Sequence, residues 1–239
     1  MEELLYNKYR MELSDTQFRL STDTMVLADF ARISPRSRVL DLGCGCGALG
    51  LLLLGGDESL DVTGLELQAE AAQAAEKNAV QNGLGERLHI ISGDLRNYRA
   101  LLRNGQFDAV ISNPPYYPAG AGKVCQAPAL AAARTELFCT PDDLCRCAAW
   151  ALRWGGSFFL VHKPERLVDL FCSLRQTGLE PKRLQYVRHR PDRPVSLVLI
   201  EARLGGKSGL KTEPDLLLSK PDGSPTEAYD RIYHREDTI

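Results

Sequence analysis

Asp41-Leu42-Gly43-Cys44-Gly45-Cys46-Gly47 is the stretch of this chain best suited to holding a ligand. Glycines at alternate positions let the backbone turn tightly and let a ligand lie against bare peptide. A helix starting just after them would offer free N–H groups. The spacing is G-x-G-x-G, not the G-x-G-x-x-G of dinucleotide binders. Asp41, ahead of the first glycine, would repel a pyrophosphate and suits a ligand bearing an ammonium group. Glu66, followed by Leu67, stands where a carboxylate accepts hydrogen bonds from both hydroxyls of a ribose. Asp94, in Ser-Gly-Asp-Leu, is placed to accept from an adenine amino group, with Leu95 beneath the ring. Asn113-Pro114-Pro115-Tyr116-Tyr117 then brings acceptors together. Two consecutive prolines fix φ, so the Pro114 carbonyl is aimed rather than mobile. With the Asn113 side-chain carbonyl it can bind both hydrogens of one NH2 group. Acceptors placed for a tetrahedral nitrogen favour the transition state of a weakly nucleophilic, conjugated amine. Tyr116 offers a flat face for base stacking, with Tyr117 beside it.

Taken singly, a turn glycine, a helix-capping acid or a proline-rich turn explains each piece. A chance D-x-G-x-G-x-G in a chain of this length is on the order of one in two hundred. Acids at two later strand ends and an Asn-Pro-Pro-Tyr at a third favour one connected site. A nicotinamide enzyme shares the strand–turn–helix logic and stays an alternative. The pairs Cys44-x-Cys46 and Cys145-x-Cys147 are tighter than the usual zinc spacing, and a metal at the first would collide with the ligand, so no metal site is expected. His89 and His162 fall in strands and read as packed or edge residues; His189 lies among basic residues and suits a phosphate contact.

The elements that must position these groups alternate. Residues 21–33 read as a helix capped by Ser21 or Thr22. Strands are expected at 38–42, 60–66, 87–92, 107–112 and 157–162, with helices at 46–54, 68–82, 141–154 and 164–177 between or after them. Two further strands, 183–188 and 195–202, have only a short proline-containing connection, which suits an antiparallel hairpin. The reading is an α/β fold with a mostly parallel sheet and helices on both faces. Residues 1–203 form the main domain, with 1–37 leading into the glycine-rich turn. Residues 204–239 read as an extension packed on it through Leu216–Leu218, Ile232 and Tyr233, with a disordered tail as the competing reading.

Composition sets the outer limits. Hydrophobic residues are 44% and charged residues 25%, enough for one full α/β core. The first residues, MEELLYNKYRMELSD, are charged from the second and lack the apolar core of a signal peptide. The longest apolar run, Ala48–Leu54, is far short of a membrane span. Seven cysteines without a secreted context suggest reduced thiols in a cytoplasmic protein. Net charge is −2, yet residues 146–211 hold 13 Lys+Arg against 5 Asp+Glu. Within them, Lys182, Arg183, Arg188, Arg190 and Arg193 cluster with only Asp192 opposing, a phosphate-facing patch or a solvated surface.

At the D-x-G-x-G-x-G and NPPY motifs the chain resembles the class I adenine-N6/glutamine-N5 amino-methyltransferases. The stretch Gln17–Ala28, NPPYY, Ala133-Arg134-Thr135-Glu136 and His162–Leu167 are similar to the bacterial enzymes that N6-methylate the adenosine 3′ of the valine tRNA anticodon. The resemblance reaches to about residue 235. It implies a Rossmann-like fold with a seven-stranded sheet whose last strand is antiparallel, S-adenosyl-L-methionine as cofactor, and an RNA substrate, above all a tRNA. It also implies that Thr22 and Asp23 line the methionine end of the cofactor. Thr135 departs from the histidine expected there. Arg188 and Arg190 become candidates for RNA contact, since phosphate contacts supply affinity. A protein-glutamine methyltransferase presents the same NH2 to the same acceptors, but such enzymes carry a substantial helical domain ahead of the cofactor motif, and only 40 residues precede Asp41. A ribosomal-RNA amino-methyltransferase and a non-catalytic binding module are further alternatives; an intact Asn113 opposes the last. A flipped adenine in a single-stranded loop is cheaper to extract than one in a duplex, which favours loop RNA over DNA.

Overall fold

Apolar side chains occupy odd and even positions alike in residues 38–42 and 107–112, the pattern of strands covered on both faces. The computed structural model describes residues 2–5, 9–12, 21–114 and 139–233. It opens with an antiparallel hairpin, β1 (Glu2–Leu5) and β2 (Tyr9–Glu12), followed by α1 (Thr22–Phe30). The alternating region is β3 (Arg38–Leu42), α2 (Ala48–Gly56), β4 (Asp61–Glu66), α3 (Ala69–Gln81) and β5 (Leu88–Ser92). A short α4 (Tyr98–Leu101) and β6 (Phe107–Ser112) come next. After residues 115–138 the chain continues as α5 (Pro141–Ala151), β7 (Leu152–His162), α6 (Leu167–Gln176), β8 (Leu179–Arg188) and β9 (Leu197–Leu204). It ends in β10 (Lys211–Thr212), β11 (Leu216–Leu217) and α7 (Glu227–Ile232).

The main sheet runs β10-β8-β9-β7-β6-β3-β4-β5, with β11 also on β8. Neighbours from β7 to β5 are parallel, and β9 is antiparallel to both β7 and β8. The expected α/β sheet with its antiparallel strand is therefore present, but among the described residues it has nine strands rather than seven. The two additions are the two-residue β10 and β11, which run parallel along the outer edge of β8. That edge would otherwise leave backbone groups unpaired. A second difference lies at β7, which starts at Leu152 while α5 stops at Ala151, not at 154. Gly155 takes φ +79°, and the register against β6 shifts between Phe107↔Leu152 and Ala109↔Ser157, so the added strand residues sit across an irregularity.

Strand periodicity sorts the core into two layers. Val39, Ala109, Ile111, Phe159 and Val161 pack on one face with α1 and α2; Leu40, Val110, Phe158 and Leu160 pack on the other with α5 and α6. A one-residue slip of any strand would exchange the two sets. Residues of the C-terminal segment join the first layer: Leu216, Leu218 and Ile232 are buried there. Tyr229 and Tyr233 stack with ring centroids 4.3 Å apart, and Arg231 reaches Asp29 of α1 at 3.1 Å. Among the described residues no helix is long and apolar enough to cross a membrane.

Candidate active site

Asp41, Glu66, Asp94 and Asn113 all fall at the C-terminal ends of adjacent parallel strands, or just after them. The four strands β6-β3-β4-β5 are neighbours, so these groups line one edge of the sheet over about 14 Å, three strand spacings. The first strand of the parallel set, β3, has β4 on one side and β6 on the other, and ligands of such sheets bind at this reversal.

The loop from β3 to α2 is a bare-backbone cradle. Gly43, Gly45 and Gly47 have φ of 75°, 56° and 85°, a region that disfavours residues with a Cβ. A Cβ on Gly43 or Gly45 would meet nothing within 4 Å, so the open space lies beside the backbone, where a ligand would sit. The Gly45 N–H donates to Glu66 Oε2 at 2.9 Å and the Gln68 N–H to Glu66 Oε1 at 2.8 Å, which fixes the carboxylate at the end of β4. Each carboxylate oxygen keeps further lone-pair capacity for hydroxyl donors. Asp41 is 2% exposed, and its Oδ2 finds no hydrogen-bond partner among the described residues. Burial, and then the nearby charge of Glu66, push its pKa up to about 8. A buried carboxylate without a partner is costly, and a cationic ligand group would relieve that cost. The cradle, the ribose-directed acid and the orphaned Asp41 oxygen all fit a nucleoside carrying an ammonium group.

Asn113 stands one residue past β6. Its Nδ2 donates to Thr24 Oγ1 of α1 at 3.0 Å, across 89 positions of sequence. Ser112, fully buried, donates from Oγ to the Leu42 carbonyl at 2.7 Å and so ties the β6 end to the cofactor loop. Thr22 and Asp23 open α1 within the same turn, and Thr22 Oγ1 lies 2.9 Å from Tyr233 Oη. The neighbouring Pro114 is described; Pro115, Tyr116, Tyr117 and the 133–136 stretch lie outside the described residues.

The remaining expected positions carry contacts of their own. Asp94 caps the turn that follows β5, accepting from the Arg96 backbone N–H, and Arg96 Nε reaches both its oxygens at 3.0–3.1 Å. Any adenine amino group there would share those oxygens. Leu95 packs against the second core layer, and Leu67 is 42% exposed beside Glu66. The basic cluster is not a free patch. Arg183 is buried, pairs with Glu201 at 2.9 Å, donates to the Phe30 carbonyl at 2.6 Å and lies 3.7 Å over the Phe30 ring. Lys182 donates to the carbonyls of Lys207 and Gly209. Arg188 pairs with Asp215 at 2.6 Å and Arg190 with Asp192 at 3.1 Å. Asp192 and Glu201 within the cluster's own segment, Asp215 beyond it and two backbone carbonyls answer these cations. His162 is buried, its Nδ1 accepts from the Lys163 N–H, and burial lowers its pKa to about 4, as a packed strand residue requires. Burial raises the thiols of Cys44, Cys46, Cys145 and Cys147. Among the described residues no three metal-ligating side chains converge.

Sequence reasoning missed Thr24 and Gly64. A Cβ on Gly64 would lie 2.5 Å from Cys44 Sγ, so β4 must carry glycine for the cofactor loop to lie on it. A glycine inside an apolar strand was the available signal.

A family model for the methyltransferase small domain matches residues 19–169. The chain belongs to that family. The tRNA1(Val) (adenine(37)-N6)-methyltransferase of Escherichia fergusonii is 31% identical over 213 residues, covering 88% of this chain and 84% of its own. The enzyme of the same name from Dickeya chrysanthemi is 31% identical over 193 residues, covering 80% and 74%. Both bear out the resemblance in the sequence motifs. Among solved structures, a predicted O-methyltransferase from Agrobacterium tumefaciens superposes with a TM-score of 0.73 at 21% identity over 89% of this chain and 96% of that one, which shows the class I methyltransferase fold. This member of the family is a methyltransferase, and S-adenosylmethionine is its cofactor.

Proposed function

We propose that the protein methylates the exocyclic N6 amino group of an adenine in RNA, and that the target is an adenosine in a tRNA anticodon loop. The observation that carries this reading is Asn113, held at the β6 terminus beside the cofactor cradle by a hydrogen bond from its own NH2 group. The names of the 31%-identical relatives supply the substrate class. A tRNA substrate also fits a cytoplasmic enzyme.

S-adenosylmethionine supplies an electrophilic methyl group on a sulfonium sulfur. Asp41 would face its ammonium end, with Thr22 and Asp23 nearby; Glu66 would hold the ribose, and Asp94 and Leu95 the adenine end. The Asn113 Oδ1 and Pro114 carbonyl would accept the two N–H bonds of the target amine. They stabilise the pyramidal nitrogen as its lone pair leaves the ring, and they align it with the methyl carbon. No strong base is needed, because the methylated nitrogen is acidic and its proton passes to water. Tyr116 and Tyr117 would stack the flipped base. β8 runs in the same direction as β7, so Arg188 and Arg190 reach the sheet edge that bears Asn113. Their five-donor guanidinium groups can meet phosphate while keeping their ion pairs.

The test is Asn113→Ala in single-turnover assays with S-adenosylmethionine and tRNA. Loss of one preorganised acceptor should slow methyl transfer by roughly 10²–10³ while cofactor affinity in calorimetry stays the same. A rate near that of wild type would reduce the Asn-Pro-Pro segment to a turn.

A further inference from the structure

Asn113 leaves one choice open that its backbone does not make. The following Pro114 confines Asn113 to extended backbone. The amide, however, turns about a terminal sp3–sp2 bond whose two settings are nearly equal in shape. One setting faces the target nitrogen with a carbonyl, the other with an NH2. Only the first accepts the N–H bonds of an amine; the second sets donor against donor.

We propose that Thr24 is the positioning residue that makes this choice, by accepting a hydrogen bond from the Asn113 NH2 group. The inference rests on the reading of Asn113 as the amine acceptor. Thr24 Oγ1 is 3.0 Å from Asn113 Nδ2. The same oxygen lies 3.1 Å from Ser21 Oγ, which gives the Thr24 hydroxyl proton an acceptor. Ser21 Oγ caps α1 by accepting from the Thr24 N–H at 3.3 Å. With its proton directed to Ser21, the Thr24 oxygen presents lone pairs to Asn113, and the amide turns its NH2 inward and its carbonyl away.

The device is stationary. Thr24 is 9% exposed and β-branched, so its χ1 is restricted. The helix that carries it is braced from the far end of the chain, at its first turn through Tyr233 on Thr22 and at its last through Arg231 on Asp29. Helix capping and amide orientation thus share one pair of hydroxyls. This gives Ser21 and Thr24 a role beyond starting α1.

The experiment compares wild type, Thr24→Val, Thr24→Ser and Asn113→Ala in single turnover, with an unmodified valine tRNA transcript and S-adenosylmethionine. Valine keeps the shape of threonine and removes the acceptor; serine restores it. Thr24→Val should lower the methyl-transfer rate about tenfold, with RNA KM and cofactor Kd changed by less than about twofold, and Thr24→Ser should recover most of the rate. The Asn113 side-chain NH2 resonances, assigned by their loss in Asn113→Ala, should shift in Thr24→Val and return in Thr24→Ser; this readout needs no substrate. Thr24→Val at wild-type rate with unmoved resonances, beside an inactive Asn113→Ala, overturns the positioning role alone. Thr24→Ser as impaired as Thr24→Val also overturns it, since packing would then be the cause. An active Asn113→Ala overturns the reading of Asn113 and this inference with it.

Discussion

The two halves of the sheet's C-terminal edge treat charge in opposite ways. On the β8 side charges are answered from within the chain: Arg183 by Glu201, Arg188 by Asp215, Lys182 by two backbone carbonyls, and Glu213, whose Oε1 accepts no hydrogen bond among the described residues, by Arg32 and Lys211 at 3.7 Å. On the β3 side Asp41 is buried with Oδ2 unpartnered among the described residues, and Glu66 stands close enough to raise its pKa. Internal pairing marks charges that the fold uses for itself. A buried carboxylate left without a cation marks a place prepared for something else. The basic residues, which looked like the binding surface in sequence, are largely structural. The acids, which the sequence assigns to a cofactor, stand together along the ends of β3, β4 and β5.

The contrast breaks most sharply at Arg183. Arg183 is buried and Glu201 partly so; removing the guanidinium leaves Glu201 without its cation and the Phe30 carbonyl without its donor, so Arg183→Ala should cost about 3 kcal/mol of stability. Denaturant unfolding at neutral pH measures it, and a loss below about 1 kcal/mol would make the pair no more than a surface contact.

Asp41 should behave in the opposite sense. Its pKa is about 8 in the folded protein against an ordinary 3.8. The folded state therefore holds a proton that the unfolded state has released. The stabilising contribution is complete below 3.8 and is lost as pH rises through 8. Asp41→Asn should raise the Tm of the cofactor-free protein, more at pH 8 than at pH 5, by about 2–4 °C for each kcal/mol recovered. The same change should weaken S-adenosylmethionine binding roughly tenfold or more at pH 8, because a charge-assisted contact is lost. Wild-type affinity should tighten as pH approaches 8, while that of the variant stays flat; calorimetry across this range checks both.

Arg188 and Asp215 lie between these extremes, with side chains 30% and 37% exposed. A double-mutant cycle should give a coupling of about 1 kcal/mol or less. RNA affinity should fall in Arg188→Ala with a shallower salt dependence. An unchanged salt slope would confine Arg188 to holding the C-terminal segment.

Much of this was legible in sequence because it is local. Strand ends at residues 42, 92 and 112 follow from apolar runs that stop at glycine or asparagine, and the glycine loop announces its own geometry. What could not be read depends on partners distant in the chain. Arg183 points inward because a register shift between Pro181 and Arg183 turns it away from the layer of Leu179 and onto the layer of Phe30, where Glu201 of β9 stands opposite. The hairpin of β1 and β2 is rich in charge, yet Tyr9 and Met11 are buried and the Arg10 backbone is held by Asn82. β10 and β11 are two residues each and exist only because the edge of β8 pairs with them. The contact between Thr24 and Asn113 joins a helix cap to a strand end, and neither motif names the other.

The central claim is the identity of the methylated atom. Purified protein is incubated with methyl-labelled S-adenosylmethionine and, separately, total tRNA, ribosomal RNA fragments, duplex DNA and release-factor protein, and each labelled product is digested to nucleosides or amino acids. Label recovered as N6-methyladenosine from tRNA is the predicted result. Label recovered on a glutamine side chain or on guanine would contradict it.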